Sequence, residues 1–166
     1  MKIRSMLPSD LDEVCHIQSQ CYDESILESS ASFAAKLKAS AYFSFMAEKD
    51  GAALGYIVAV PWVFGEVLKL NGSKFTISPS ADSICIHDLS VNPESRSLGV
   101  ASALIGSVLD AANNKGFNRV FLVAIQGASS YWKRYGFVPV SVGESTQQYL
   151  LSYGDDAQYM VRELVT

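Results

Sequence analysis

The stretch Val91-Asn92-Pro93-Glu94-Ser95-Arg96-Ser97-Leu98-Gly99-Val100-Ala101 follows an apolar run, Ile84 to Val91, and precedes a strongly periodic segment. A strand, a short loop carrying Arg-x-x-Gly-x-Ala and a helix together form a cradle for phosphate. The first amides of a helix have no intrahelical acceptor, and the helix dipole adds partial positive charge at that end. Gly99 has no Cβ and lets the backbone approach an anion closely. A phosphate-rich cofactor is the first expectation. The second is proton removal by His87, histidine being the residue type suited to general base work. Strand alternation places Cys85, His87, Leu89 and Val91 on one face and Ile84, Ile86, Asp88 and Ser90 on the other. A β-bulge would exchange these roles. Two residues along a strand span roughly 6.8 Å, too far for a direct Cys85–His87 hydrogen bond. Cys85 reads as a small buried hydrophobe, and Asp88 as a hydrogen-bonded structural carboxylate.

These residues need a scaffold. Lys2 to Met6 reads as a first strand. Ser9, with Asp12 three residues on, caps a helix bearing Leu11, Val14 and Cys15. Ser29 or Ser30 caps a second helix through Phe33, Lys36 and Leu37. Ala41 to Ala47 and Ala53 to Val60 form strands around an Asp50-Gly51 turn, and Pro61 ends the second or places it at an edge. Trp62 to Asp82, with Gly65, Gly72 and Pro79, is a long connection of the kind that covers a site. Ile84 to Val91 is a central strand. Ser97 to about Lys115 is a helix burying Val100, Leu104, Val108, Ala111 and Ala112, widened by Leu98, Ala101, Ile105 and Leu109, and stopped by Gly116. Val120 to Ile125 is a buried strand. Ser129 to Tyr135 is a short helix stopped by Gly136. Phe137 to Val142 and Gln158 to Leu164 close the sheet. The fold class expected is α+β, a mixed and mostly antiparallel central sheet flanked by helices, with one parallel βαβ unit at its centre.

The chain has 166 residues, 49% of them hydrophobic, and reads as one domain over 1–166. No apolar run is long enough for a membrane span, and the first residues lack the apolar centre of a signal peptide. Cys15, Cys21 and Cys85 are odd in number and show no Cys-x-x-Cys pair. A disulfide framework and a structural zinc site are therefore not expected, no metal is called for, and a reducing cytoplasm is the simplest compartment. The net charge of −4 with scattered basic residues argues against nucleic acid and mildly favours a cationic or amine substrate.

The assembled pattern resembles the GCN5-related N-acetyltransferase (GNAT) superfamily. The residues carrying it are Leu89-Ser90-Val91-Asn92-Pro93, the Arg96-x-x-Gly99-x-Ala101 loop, and Ala128-x-x-x-Trp132-x-x-x-Gly136-Phe137. The resemblance implies a GNAT-like acyl-CoA N-acyltransferase fold, with acetyl-CoA as co-substrate and a primary amine, on a small molecule or a peptide, as acceptor. Arg96, Ser97, Leu98, Gly99, Val100 and Ala101 would hold the pyrophosphate. Leu89, Ser90 and Val91 would pair with the pantetheine arm, and a backbone N–H near Leu89 would meet the oxyanion. A histidine four residues before the matching valine occurs in a subset resembling serotonin N-acetyltransferase, which makes His87 the candidate base.

Many members carry a tyrosine four residues before the Gly-Phe, as proton donor to the departing thiolate. Trp132 stands there instead, and an indole cannot give up its proton at useful pH. Tyr131, rotated by roughly 100°, and Tyr135, three residues on, are candidate acids beside water or an unprotonated thiolate. Ile125 replaces a frequent asparagine. Tyr22, Phe33, Trp62 and Phe64 are candidate acceptor-pocket aromatics, with Asp23, Glu24, Glu28 or Glu66 attracting a cation. A non-catalytic acyl-CoA-binding module on the same fold, and transfer of a longer acyl group, are the alternatives. A homodimer is the prior for assembly.

Overall fold

The computed structural model describes residues 1–68, 72 and 74–164. Among these residues seven strands form one sheet in the order β1-β2-β3-β4-β5-β7-β6. They are β1 (Lys2–Ser5), β2 (Phe45–Lys49), β3 (Ala52–Trp62), β4 (Ser83–Val91), β5 (Arg119–Ala124), β6 (Val138–Pro139) and β7 (Gln158–Glu163). All neighbours are antiparallel except β4 and β5, joined by the crossover helix α3 (Val100–Asn114). The mixed α+β expectation therefore holds. On one face α3 buries Val100, Leu104, Ile105, Val108, Ala111 and Ala112 against Ile57, Ala59, Ile84 and Ile86. On the other, α1 (Leu11–Cys21) and α2 (Ser30–Ala39) cover Tyr56 and Val58. Each large apolar side chain so removed from water contributes about 1.5–3 kcal/mol.

Local chemistry explains most boundaries. Asp50 and Gly51 both have positive φ (53° and 81°), as a type I′ hairpin demands. Ser29 caps α2 by accepting the Ser32 N–H at 3.1 Å. The expected Ser9 cap is not used. Pro8–Asp10 forms a 3-10 turn, and the Asp10 carboxylate takes the Leu7 N–H at 2.7 Å while paired with Arg4. Ala41–Phe43 is also a 3-10 turn, so β2 begins later than the apolar run suggests. Pro61 lies within β3, beyond Ile57, where the β2 pairing has ended and only the β4 side needs donors. Ser97 and Gly99 are left-handed (φ 76° and 77°), which delays α3 to Val100 and leaves Leu98 exposed in the loop rather than on the buried face. The segment expected to be a strand from Phe137 to Val142 keeps only Val138–Pro139 as β6. The described residues also form the helices α4 (Ser129–Lys133) and α5 (Glu144–Leu150), the latter in a polar stretch without an apolar period. Part of the long connection, 69–71 and 73, lies outside the described residues. Among the described residues no helix is long and apolar enough to cross a membrane.

The register of β3 against β4 matters most. Val58 pairs with Asp88 and Ala59 with Ile86, so His87 is an extra residue, a β-bulge. Ile84 and Ile86 face α3 before it, and Leu89 and Val91 face α3 after it. His87 and Asp88 both turn to the α1–α2 face, where Glu28 and Tyr56 meet them. Regular alternation had put them on opposite faces. Past the bulge, β4 leaves β5: the parallel ladder consists of Ile84 with Val120 and Cys85 with Phe121.

At the head of this gap β3 and β4 are tightly apposed. A Cβ on Gly55 would lie 2.7 Å from the Ser90 carbonyl oxygen and 3.2 Å from Val100 Cγ1. Gly55→Ala is expected to destabilise the fold by about 1–3 kcal/mol, as over-packing does. Urea unfolding of both proteins measures the difference.

Candidate active site

The edge of β4 that faces the gap is defined by its hydrogen bonds. The Asn92 N–H donates to the Leu54 carbonyl at 2.8 Å, so even-numbered residues face β3 and the amide groups of Leu89 and Val91 face the gap. Their carbonyls accept from the end of α1: the Tyr22 hydroxyl donates to Leu89 O at 3.0 Å and the Cys21 thiol to Val91 O at 3.3 Å. Their N–H groups stay on the open edge.

The loop into α3 presents a second set of donors. The first bond returning into the helix runs from the Ala103 N–H to Gly99 O at 3.1 Å. The amides of residues 97–102 have no hydrogen-bond acceptor among the described residues. Residues 97 and 99–102 line a groove of about 500 Å³ together with Arg96 and Arg134. Cys21, Tyr22, Leu89, Ser90, Val91, Ser97, Gly99, Val100, Ala101, Tyr131, Trp132 and Tyr135 share its wall, so the groove collects every expected cofactor contact except the exposed Leu98. Two guanidinium groups and a helix start suit an anion.

A second cavity of about 200 Å³ lies past the gap, lined by Gln18, Tyr22, Glu28, His87, Asp88, Ile125 and Gln126 among others. Tyr22, Leu89, Ala128 and Trp132 line both spaces and mark their junction. A third, of about 50 Å³, adjoins it through Ile86, His87, Val123 and Ile125, and reaches Glu66 and Tyr153. The described linings of the second and third spaces carry carboxylates and no Lys or Arg. The guanidinium groups of Arg96 and Arg134 lie on the groove side and the carboxylates on the cavity side.

His87 stands in a buried ionic network. Its Nε2 bonds Glu28 Oε1. Lys36 Nζ donates to Glu28 Oε2 and to Ser32 Oγ, both at 2.9 Å. Gln18 holds the Glu28 backbone by donating to its carbonyl and accepting its N–H. The side chains of Glu28, Lys36 and His87 are only 3–5% exposed. Burial opposes ionisation of Glu28, yet His87 and Lys36 outweigh it and hold the carboxyl below its ordinary value. Burial pushes the Asp88 carboxyl above its ordinary value, against the Tyr56 hydroxyl that donates to it at 2.5 Å. Burial also pushes the Cys85 thiol up to about 12, which leaves no thiolate for an acyl-enzyme route.

Of the candidate aromatics, Tyr22 reaches the site. Phe33 packs edge-on against Tyr56, Trp62 stacks on Phe75, and Phe64 packs on Phe121 and Tyr159. Asp23 and Glu24 are exposed, Glu66 borders the third space, and Glu28 is internal. Tyr131 and Tyr135 form an aromatic cluster with Trp132 on the groove side. Burial, with Tyr135 beside it, raises the Tyr131 phenol above its ordinary value. Sequence reasoning missed Lys36 and the pairing of Glu28 with His87. The only signal was a charged residue on the apolar face of α2. Among the described residues no cluster of His, Cys, Asp and Glu could hold a metal ion.

Comparison with known proteins places this geometry. A family model described as Acetyltransferase (GNAT) family matches residues 11–137. Ard1 from Thermoplasma volcanium superposes with TM-score 0.75 at 20% identity, covering 99% of this chain and 98% of its own. The ribosomal-protein-S18-alanine N-acetyltransferase of Escherichia coli gives 0.72 at 16%, covering 99% and 94%. A GNAT-like decarboxylase, GphF, in complex with isobutyryl-CoA gives 0.73 at 19%, covering 99% and 100%. At these identities the likeness is one of fold. A search of curated protein sequences returns no match.

The Asp88 shift has a sign that can be measured. A carboxyl raised on folding contributes stability below its unfolded pKa, about 4, and loses it as pH rises through the folded value. Asp88→Asn lacks this titration. Its stability relative to wild type is expected to grow as pH rises from about 4, and denaturant unfolding across pH reads the trend.

Proposed function

The chain belongs to the GNAT acetyltransferase family, and from that premise we propose that it is an acetyl-CoA-dependent N-acetyltransferase. It moves an acetyl group to a primary amine of a small molecule or peptide by direct attack in a ternary complex. The observation that carries this reading is the pairing of unclaimed amides at residues 97–102 with Arg96 and Arg134 on one side of the gap, and carboxylates with His87 on the other. Donors in the loop fit a pyrophosphate, and the open N–H groups of Leu89 and Val91 fit a pantetheine arm laid along β4 as an added strand. Acetyl-CoA, when bound, supplies the activated acetyl thioester.

An alkylamine has a reference pKa of about 10.4, so it enters protonated and must lose a proton before it can attack. The exposed Glu66 carboxylate at the third space attracts the cation. His87 takes the proton, directly or through water. The Leu89 N–H donates to the oxygen on which charge develops as the C–N bond forms. The C–S bond would then break as the nitrogen gives up its second proton to solvent or to the departing sulfur; the sulfur would leave with the electron pair, or take a proton from Tyr135 or Tyr131, which the proton from nitrogen would replace. Trp132, at the junction, packs against both spaces and gives no proton. A fully buried Cys85 thiol supports the direct route over a covalent intermediate. The homodimer and a cytoplasmic location remain part of the same proposal.

Trp132 also favours a second reading, an acyl-CoA-binding module that does not transfer. One set of measurements separates the two. Initial rates over an amine panel are expected to give intersecting double-reciprocal lines. His87→Ala is expected to lower kcat by about 10²- to 10⁴-fold, the usual loss for a general base, with acetyl-CoA affinity unchanged by calorimetry. Binding without turnover of any amine would favour the module, and no binding at all would reject both.

A further inference from the structure

We infer that Glu28 is a positioning residue: it pins His87 as the Nε2–H tautomer, so that Nδ1 is the ring atom that takes the proton from the acceptor amine. The inference rests on the transferase reading for the word acceptor, but not for the tautomer. Glu28 Oε1 bonds Nε2 of His87, while Lys36 Nζ donates to Oε2 of the same carboxylate at 2.9 Å. A carboxylate clamped by a lysine can only accept. The imidazole nitrogen facing it must therefore be the donor, and in a neutral ring the other nitrogen is left with its lone pair.

The elements make this arrangement stiff. Ser32 Oγ takes a second proton of Lys36, and Gln18 on α1 ties the Glu28 backbone at both its N–H and its carbonyl. The β-bulge turns His87 to this face, at the wall shared by the second and third spaces. Glu28, Lys36 and neutral His87 sum to zero charge, so the resting network is balanced inside the protein. When His87 gains a proton, Glu28 faces the new imidazolium through a hydrogen bond it already makes. This is the logic of a base held by a third group, with the holder supplied by the segment between α1 and α2. The other titratable groups facing His87 are Asp88 and Cys85 on β4, Tyr22 just past α1, and Glu66 and Tyr153 around the third space. Among the described residues Glu28 is the one that hydrogen-bonds the ring.

The test uses the whole chain, whose histidines are His16 and His87, with His16 exposed on α1 as an internal reference. Nitrogen-15 NMR of the wild type at neutral pH is expected to show His87 with a protonated Nε2 and a bare Nδ1. A protonated Nδ1 with bare Nε2 would overturn the inference, whether or not the protein transfers acetyl groups. Glu28→Gln combined with Lys36→Met removes both buried charges together and avoids stranding either one. This double variant is expected to show mixed tautomers and an acidic limb of the kcat profile displaced to lower pH. Its kcat should fall by about tenfold or more with KM for acetyl-CoA unchanged. An unaltered tautomer and pH limb in the folded double variant would also overturn the positioning role. A wild type inactive on every amine, but with the expected ring pattern, would reject the transferase reading and leave the tautomer assignment standing.

Discussion

A backbone amide taken out of a hydrogen-bonded ladder must find another acceptor, and in this chain two groups of amides are left in that condition side by side. The β4–β5 ladder ends after Cys85 and Phe121, which strands the N–H groups of Leu89 and Val91 on an inner edge of the sheet. The turn through Ser97 and Gly99, both left-handed, then starts α3 with its first amides open to the same groove. A sheet interior would not tolerate such an edge without a partner. The cofactor reading supplies one: an amide-bearing arm beside β4 and an anion above the helix.

The β-bulge at His87 links that edge to the chemistry. One extra residue increases the local twist and lets β4 swing away from β5. The same residue breaks the alternation, so that His87 and Asp88 reach the α1–α2 face together while Leu89 and Val91 stay with α3. There His87 meets a carboxylate already neutralised by Lys36. Burying three ionisable side chains has a large desolvation cost, and only mutual hydrogen bonds offset it. Such a network does little for stability that apolar packing would not do as well. What it adds is a fixed ring orientation next to a cavity.

Much of this was legible from residues alone. The strand–loop–helix around Arg96 to Ala101 carries its own punctuation, because Gly99 and the periodicity after it admit few other conformations. The α+β class, the hairpin at Asp50-Gly51 and a serine cap at 29 or 30 follow from local chemistry in the same way. The bulge was not legible as an outcome. Nothing in Ile86-His87-Asp88 marks an insertion, since the register is decided by β3 across the ladder. Nor was the Glu28–His87–Lys36 contact, which joins residues up to 59 positions apart through tertiary packing. The polar residues of α5 give no apolar period from which a helix could be read, and nothing in the sequence marks the left-handed Ser97 that leaves Leu98 exposed in the loop.

The central claim, that two sets of orphaned amides grip one cofactor, can be read directly by titrating CoA into the nitrogen-15-labelled protein and following backbone amide resonances. The account predicts saturable shifts concentrated at Leu89, Val91 and residues 97–102, with the far edge of the sheet at β1 and β2 undisturbed. Absence of binding, or shifts that bypass these amides in favour of another surface, would contradict it.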